Sequence, residues 1–188
     1  MGLIGKKIDT FRADVYSADK HFYEITEKDF TGKWTVLCFY PADFTFVCPT
    51  ELEDLEGEYD TLKSMGAEVF SVSTDSHFVH KAWHESSTAV GKVTYGMIGD
   101  PNHQLSNMFG VLDTESGMAD RGTFIVDPDG VIQMVEISAG SIGRDATTII
   151  PKLKALKFIR ENPGEACPAK WREGSETLKP SFDLVGKI

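Results

Sequence analysis

Cysteine is scarce in this chain: 188 residues hold only Cys38, Cys48 and Cys167. Three is too few for a disulfide framework, and an odd number leaves at least one thiol unpaired within a single chain. Long apolar runs are missing too, and nothing approaches the about 20 residues of a membrane-spanning helix. The beginning, Met1-Gly2-Leu3-Ile4-Gly5-Lys6-Lys7, has no apolar signal core. Lys6 stands where a myristoylated terminus has Ser or Thr. The expectation is an unsecreted, cytoplasmic protein with no membrane partner. Basic residues are outnumbered, 19 Lys and Arg against 29 Asp and Glu, for a net charge of −10. That balance argues against nucleic acid or an anionic membrane as a partner. Neither a Gly-x-Gly-x-x-Gly nor a Walker pattern occurs, so no bound nucleotide is expected. Linkers rich in Gly, Ser or Pro, internal repeats and low-complexity tracts are also lacking. The length fits one domain with a sizeable core.

What is present alternates. Residues 11–16 and 21–25 predict two short strands around Ser17-Ala18-Asp19-Lys20, an N-terminal hairpin. Residues 34–40 predict a buried strand, 49–64 a helix ending at Gly66, and 67–73 a further strand. A helix is expected from near Ser76, as its cap, to Ser87, then a short strand at 96–100 and a short helix at 103–109. Strands at 122–126 and 131–138 flank Asp127-Pro128-Asp129-Gly130, a turn sequence. Apolar positions Ile149, Ile150, Leu153, Leu156 and Ile159 predict a helix over 144–160. The alternation points to a layered α/β domain with a mixed central sheet. Residues 1–161 form that domain; 162–188 read as an extended tail. Trp171, Leu178, Phe182, Leu184 and Val185 give the tail apolar residues to dock on another surface, a second subunit being the favoured one.

Cys48 is the residue with the most informative surroundings. It follows a strand ended by Pro41 and precedes Pro49-Thr50-Glu51-Leu52. Pro is favoured in the first helical turn, where its missing N–H is not needed. Cys48 is thus placed at a helix N-terminus, where unpaired N–H groups and the helix dipole favour an anion. Such sites lower a thiol pKa from about 8.5 to roughly 3.5–7.5. The alternative is a cysteine packing as a small hydrophobe. Cys38, inside Leu37-Cys38-Phe39, fits that buried, inert description better. Cys48-Pro49-Thr50-Glu51 lacks a second cysteine three residues on, so any partner for oxidised Cys48 must come from elsewhere.

Pro41, Thr45 and Cys48 form a Pro-x-x-x-Thr-x-x-Cys pattern within Phe39-Tyr40-Pro41-Ala42-Asp43-Phe44-Thr45-Phe46-Val47-Cys48-Pro49-Thr50-Glu51. This stretch resembles the active-site signature of the peroxiredoxins. Cys167-Pro168 resembles the second cysteine of the typical 2-Cys subgroup. Ser73-Thr74-Asp75-Ser76-His77, Ala119-Asp120-Arg121 and the ending Asp183 to Ile188 resemble bacterial members. The resemblance implies a thioredoxin-like fold and a thiol-dependent peroxidase acting on hydrogen peroxide and organic hydroperoxides. It implies Cys48 as the nucleophile that becomes a sulfenic acid, with Cys167 of the partner subunit resolving it as a disulfide. It further implies a homodimer, assembled as a pentamer of dimers, and re-reduction by an NADH-dependent flavoprotein disulfide reductase.

The same resemblance makes Arg121 the active-site cation, since arginine stays charged and offers several donors. Arg144 resembles a second arginine, which at a helix start would oppose the dipole and instead pair with Glu51. Glu51 either completes a cap as an ordinary first-turn acid or, as the resemblance implies, orients both arginines. Thr45 either bonds the sulfur's surroundings or closes a local loop bond, and both roles are compatible. Pro41 narrows the pocket or only ends a strand.

His77, His80 and His84 share a helix face, but no further ligand pattern accompanies them, so no metal and no other cofactor is expected. A cysteine hydrolase would need an imidazole beside Cys48, and a chaperone or redox-signalling role is the non-enzymatic alternative. Peroxide-sensitive relatives carry a Gly-Gly-Leu-Gly segment and a C-terminal Tyr-Phe pair. Here the chain reads Ala89-Val90-Gly91-Lys92-Val93-Thr94-Tyr95 and Val185-Gly186-Lys187-Ile188 instead.

Overall fold

The alternation read from the sequence becomes a seven-stranded mixed sheet in a computed structural model, which describes residues 2–187. Its strands are β1 (Arg12–Ser17), β2 (His21–Thr26), β3 (Trp34–Phe39), β4 (Ala67–Ser73), β5 (Gly96–Gly99), β6 (Arg121–Val126) and β7 (Ile132–Ser138). The order across the sheet is β2-β1-β5-β4-β3-β6-β7. β3, β4 and β5 run parallel, and the remaining pairs are antiparallel. The helices are α1 (Cys48–Ser64), α2 (His77–Ser86), α3 (Gln104–Met108) and α4 (Ile149–Glu161). Every residue of β3 is buried, as expected for a strand paired on both edges and covered on both faces. α1 follows β3 and packs against β4, while α2 packs against β1 and β5.

Phe39, Phe109 and Phe124 sit at the centre of the core, all with no exposed surface and with ring centroids 4.8–5.5 Å apart. Burying each such ring contributes on the order of 1.5–3 kcal/mol. The backbone at Gly122 passes so near this cluster that a Cβ there would lie 2.8 Å from Phe124 and 2.9 Å from Val111. Glycine is required at that position by packing, and it seats the neighbouring Arg121 at the strand start. Gly66, with φ +78°, ends α1 in the left-handed conformation that a helix C-terminus favours.

The chain separates into two compact units, one ending at Ala146 and one beginning at Thr147. α4 therefore groups with the segment that carries Cys167. In this second unit the Trp171 ring packs tilted against Phe158 at 5.1 Å, Lys154 pairs with Glu173 at 2.8 Å, and Ala166 bridges Leu178. The expected extended tail is thus a folded-back segment with a short 3-10 turn at Phe182–Leu184. Its own helix engages Trp171, whereas Phe182 and Val185 remain exposed.

Two further expectations are corrected. The helix expected from residue 144 is a 3-10 turn at Ala146–Thr148 leading into α4 at Ile149. The reason lies in α1: Arg144 N–H donates to Glu51 at 3.0 Å and Ala146 N–H to Asp54 at 2.7 Å. Those carboxylates hold the segment in a loop. Ser76 precedes α2, but its side chain makes no capping bond; its backbone carbonyl accepts from Val79 and His80.

Candidate active site

Cys48 is the first residue of α1, with Val47 in the cap position and no side chain capping the helix end. It is only 1% exposed, next to Glu51 at 6% and Arg121 at 4%. Burying charged groups this deeply is costly unless each finds a partner. Here they find one another. Arg121 Nη1 points at Cys48 Sγ from 3.4 Å and also donates to Glu51 Oε2. Arg121 Nε donates to the carbonyl of Gly140 at 2.8 Å, which fixes the guanidinium plane. Glu51 Oε1 accepts from Arg144 Nε at 2.8 Å, and Arg144 Nη1 reaches Thr123 Oγ1 at 3.1 Å.

The ion group carries two arginines and one carboxylate. The excess of guanidinium over carboxylate lies against the Cys48 sulfur. Burial works against the Arg144 charge, yet the sulfur of Cys38, the Glu51 carboxylate and the sulfur of Cys48 outweigh it, so Arg144 is held above the usual arginine value. Cys38 lies in β3, and burial pushes its thiol up. That shift favours the protonated thiol near neutral pH.

Pro41 and Thr45 lie half-buried in the connection between β3 and α1. The Thr45 hydroxyl donates to the Ala42 carbonyl at 2.8 Å. The local loop bond is real, and with its proton committed this oxygen faces other groups as an acceptor. Cys167 lies half-buried in the second unit, and burial raises its thiol above the ordinary value. Glu51, Arg121, Arg144 and Cys48 are thus brought into one connected group.

The three histidines of α2 have separate partners. His80 meets Asp43 at 2.8 Å and the Ile98 carbonyl at 3.0 Å. His84 meets the Val93 carbonyl at 2.9 Å and the Tyr16 hydroxyl at 3.3 Å. His77 lies 3.7 Å from Asp14. Among the described residues no group of His, Cys, Asp and Glu could hold a metal ion, and no helix is long and apolar enough to cross a membrane. Sequence reasoning did not find the Gly140 carbonyl or Thr123 as partners of the arginines. It also missed the buried contact of Asp43 with His80. Backbone acceptors and contacts across 37 residues carry no local sequence signal.

Residues 4–135 match the AhpC/TSA family, and residues 155–187 match the C-terminal domain of 1-Cys peroxiredoxin. The chain is 63% identical to alkyl hydroperoxide reductase C of Amphibacillus xylanus and 61% identical to that of Bacillus subtilis, with the whole length of both chains covered in each case. The crystal structure of Enterococcus faecalis AhpC matches with a TM-score of 0.86 at 48% identity, over 89% of this chain and 100% of that one. The reduced 2-Cys peroxiredoxin of Plasmodium vivax matches with a TM-score of 0.91 at 29% identity, over 97% and 96%. A thioredoxin-like sheet with a buried cysteine opening α1, and family matches at both ends of the chain, make this protein a member of the AhpC/TSA family, a 2-Cys peroxiredoxin close to alkyl hydroperoxide reductase C.

Proposed function

We propose that the chain reduces hydrogen peroxide and organic hydroperoxides through Cys48, as the peroxidase component of an alkyl hydroperoxide reductase system. The observation that carries this reading is the Arg121 guanidinium, 3.4 Å from the Cys48 sulfur and tied to Glu51. A cation with several donors at a buried sulfur serves a reaction in which negative charge moves from sulfur to oxygen. The thiolate attacks one peroxide oxygen and the O–O bond breaks. The departing oxygen takes a proton and leaves as alcohol or water, and sulfur retains the other oxygen as a sulfenic acid. Arg121 donates to the reacting oxygens, and Thr45 accepts from the protonated oxygen of the peroxide. Pro41 shields the sulfur from water, and Glu51 and Arg144 hold Arg121 in place. No imidazole contact to Cys48 accompanies this arrangement among the described residues, which favours peroxide over acyl chemistry.

In the second half-reaction the Cys167 thiolate of a partner subunit attacks the sulfenic sulfur, the S–O bond breaks, and the departing hydroxide takes a proton and leaves as water. The Cys48–Cys167 disulfide then takes two electrons and two protons from a dithiol of an NADH-dependent flavoprotein reductase. Two equivalent sites per dimer follow from this exchange, and five such dimers make the working assembly. Cys48 opens α1 without a side-chain cap, so the first turn can unwind to let the sulfurs meet.

The test is non-reducing electrophoresis after one equivalent of hydrogen peroxide. Conversion of monomer to covalent dimer, reversed by dithiol, is the expected result. A chain whose Cys48 does not react with peroxide at all overturns the reading.

A further inference from the structure

A buried polar group lies outside the ion cluster at the sulfur. His80 and Asp43 have side chains with no exposed surface. His80 Nε2 faces the Ile98 carbonyl at 3.0 Å, an acceptor only, so this nitrogen carries a proton. Nδ1 faces Asp43 Oδ2 at 2.8 Å. A second proton must lie between that nitrogen and that oxygen. His80 Nδ1 also lies 3.4 Å from the Tyr40 hydroxyl, so the three buried side chains share one set of contacts. The other Asp43 oxygen accepts from the Tyr40 hydroxyl at 2.6 Å. Asp43 N–H donates to Asp75 Oδ2 at 2.9 Å, and Asp75 also accepts from Ser73 Oγ at 2.8 Å. His84 on the same helix differs: a hydroxyl faces its second nitrogen, so a neutral ring satisfies both contacts.

Asp43, where the bonds from Tyr40, His80 and Asp75 meet, lies in the connection that holds Pro41 and Thr45. Phe44 in that connection adopts φ +55°, a conformation that residues other than glycine rarely take. Such a conformation persists only where surrounding contacts over-determine it. The Phe44 ring packs against Trp83 at 5.9 Å. Trp83 follows His80 by three residues, so one face of α2 grips Asp43 through His80 and Phe44 through Trp83.

We infer that His80, Asp43 and Tyr40 are positioning residues that set the peroxide-facing wall of the site, Pro41 and Thr45, independently of the cation that activates the sulfur. This rests on the peroxide-reducing reading above. The two walls have separate supports: Arg121 is held by Glu51 and Gly140, and the Pro41–Thr45 connection by α2 and Asp75. Loosening the second support leaves a thiolate that is still formed but no longer aligned with the O–O bond. Misplacement by about 1 Å costs on the order of 100-fold in rate.

The experiment compares two electrophiles on Cys48 in the full chain, hydrogen peroxide by stopped flow and iodoacetamide by alkylation rate, at one pH. The variants are His80→Gln and Tyr40→Phe. Iodoacetamide needs the thiolate but not the peroxide wall. The expected result is a loss of at least about tenfold toward peroxide, with alkylation within about twofold of the parent. Should His80→Gln fail to fold, Tyr40→Phe, which removes one hydroxyl and no charge, carries the comparison. Parental peroxide rates in the folded variants, or parallel losses toward both electrophiles, overturn the inference while leaving the function standing. A parent chain inert to peroxide overturns the function itself and with it this inference.

Discussion

Arg144 meets Glu51 twice on the same oxygen, through its backbone N–H at 3.0 Å and its Nε at 2.8 Å. This double contact leaves the other carboxylate oxygen to Arg121. A loop residue thereby decides which way a helix carboxylate points, and the carboxylate decides where the cation at the sulfur stands. Glu51→Gln should break this chain of support. Its amide presents an N–H₂ toward one of the two guanidinium groups, so one pairing is lost. Removing one partner of a buried pair costs about 3–5 kcal/mol. The expected outcome is a lower urea midpoint together with slower peroxide oxidation of Cys48, measured on the same preparation. Unchanged stability would mean that the two arginines find other partners.

Arg121 is the next position to test. Losing a donor that stabilises developing charge in a dry site costs about 2.7–4 kcal/mol, a factor of roughly 10² to 10³ in rate. Arg121→Ala should show that loss in second-order oxidation by stopped flow. Arg121→Lys keeps charge but loses the fork that spans Cys48, Glu51 and Gly140, so a substantial loss is expected there as well. Parental rates in both variants would remove Arg121 from the mechanism.

Much of this arrangement could be read from the sequence, and the exceptions have physical causes. The strand, loop, cysteine and helix around Cys48 were legible because Pro41 and Pro49 punctuate an otherwise apolar run. The pairing of Arg144 with Glu51 was foreseen from the conflict between an arginine and a helix start. The conflict was resolved differently from expectation, since the helix begins only at Ile149 and Arg144 lies in a loop. Apolar periodicity cannot detect a helix start displaced by carboxylates 92 and 93 residues earlier in the chain. The sequence shows His80 only beside His77 and His84 on one helix face, where no metal is expected, because its partner Asp43 lies 37 residues away.

The three cysteines should separate cleanly. Cys48→Ser should abolish even the first peroxide turnover. Cys167→Ser should retain one turnover but lose recycling through a dithiol reductase and lose the covalent dimer on a non-reducing gel. Cys38→Ser should behave like the parent, because its thiol is buried in β3 and held protonated. Loss of the dimer only when Cys38 is removed would overturn these assignments.

Alkaline stability offers a test of the buried network. Burial raises Cys38 above 9.0, pushes Tyr23 up to about 12, and raises Tyr40 and Tyr95 well above 10.0. Each group has a folded value above its unfolded one, so the folded state binds more protons in that interval. The stability they contribute is fully present below pH 9 to 10, the unfolded values, and falls as pH rises toward the folded values. The expected outcome is a melting temperature that declines from about pH 9 upward, with tyrosinate absorbance appearing together with unfolding. Tyrosinate signal at its full amplitude in still-folded protein near pH 10 would contradict the burial argument.

Resistance to over-oxidation depends on a competition at Cys48, where the sulfenic acid is either captured by Cys167 or oxidised further to sulfinic acid. The Gly-Gly-Leu-Gly element of peroxide-sensitive relatives is replaced here by Ala89-Val90-Gly91-Lys92-Val93-Thr94-Tyr95. The corresponding segment contains a short 3-10 turn, Val90–Lys92, which Gly91 lets approach the His84 carbonyl to 3.1 Å of a notional Cβ. Its contacts to α1 fall beyond the first turn: Lys92 pairs with Glu53, and Thr94 N–H donates to Glu56 at 2.7 Å. They steady the helix body while leaving the uncapped Cys48 end to unwind. Disulfide formation should therefore outpace further oxidation, and the protein should remain active through repeated turnover. Mass spectrometry of Cys48 during turnover at rising hydrogen peroxide measures the partition directly. Sulfinic acid accumulating at low peroxide, with Cys167 intact, would mean that the first turn of α1 is held by other contacts, and the Glu51 pairs to Arg121 and Arg144 would be the next to weaken.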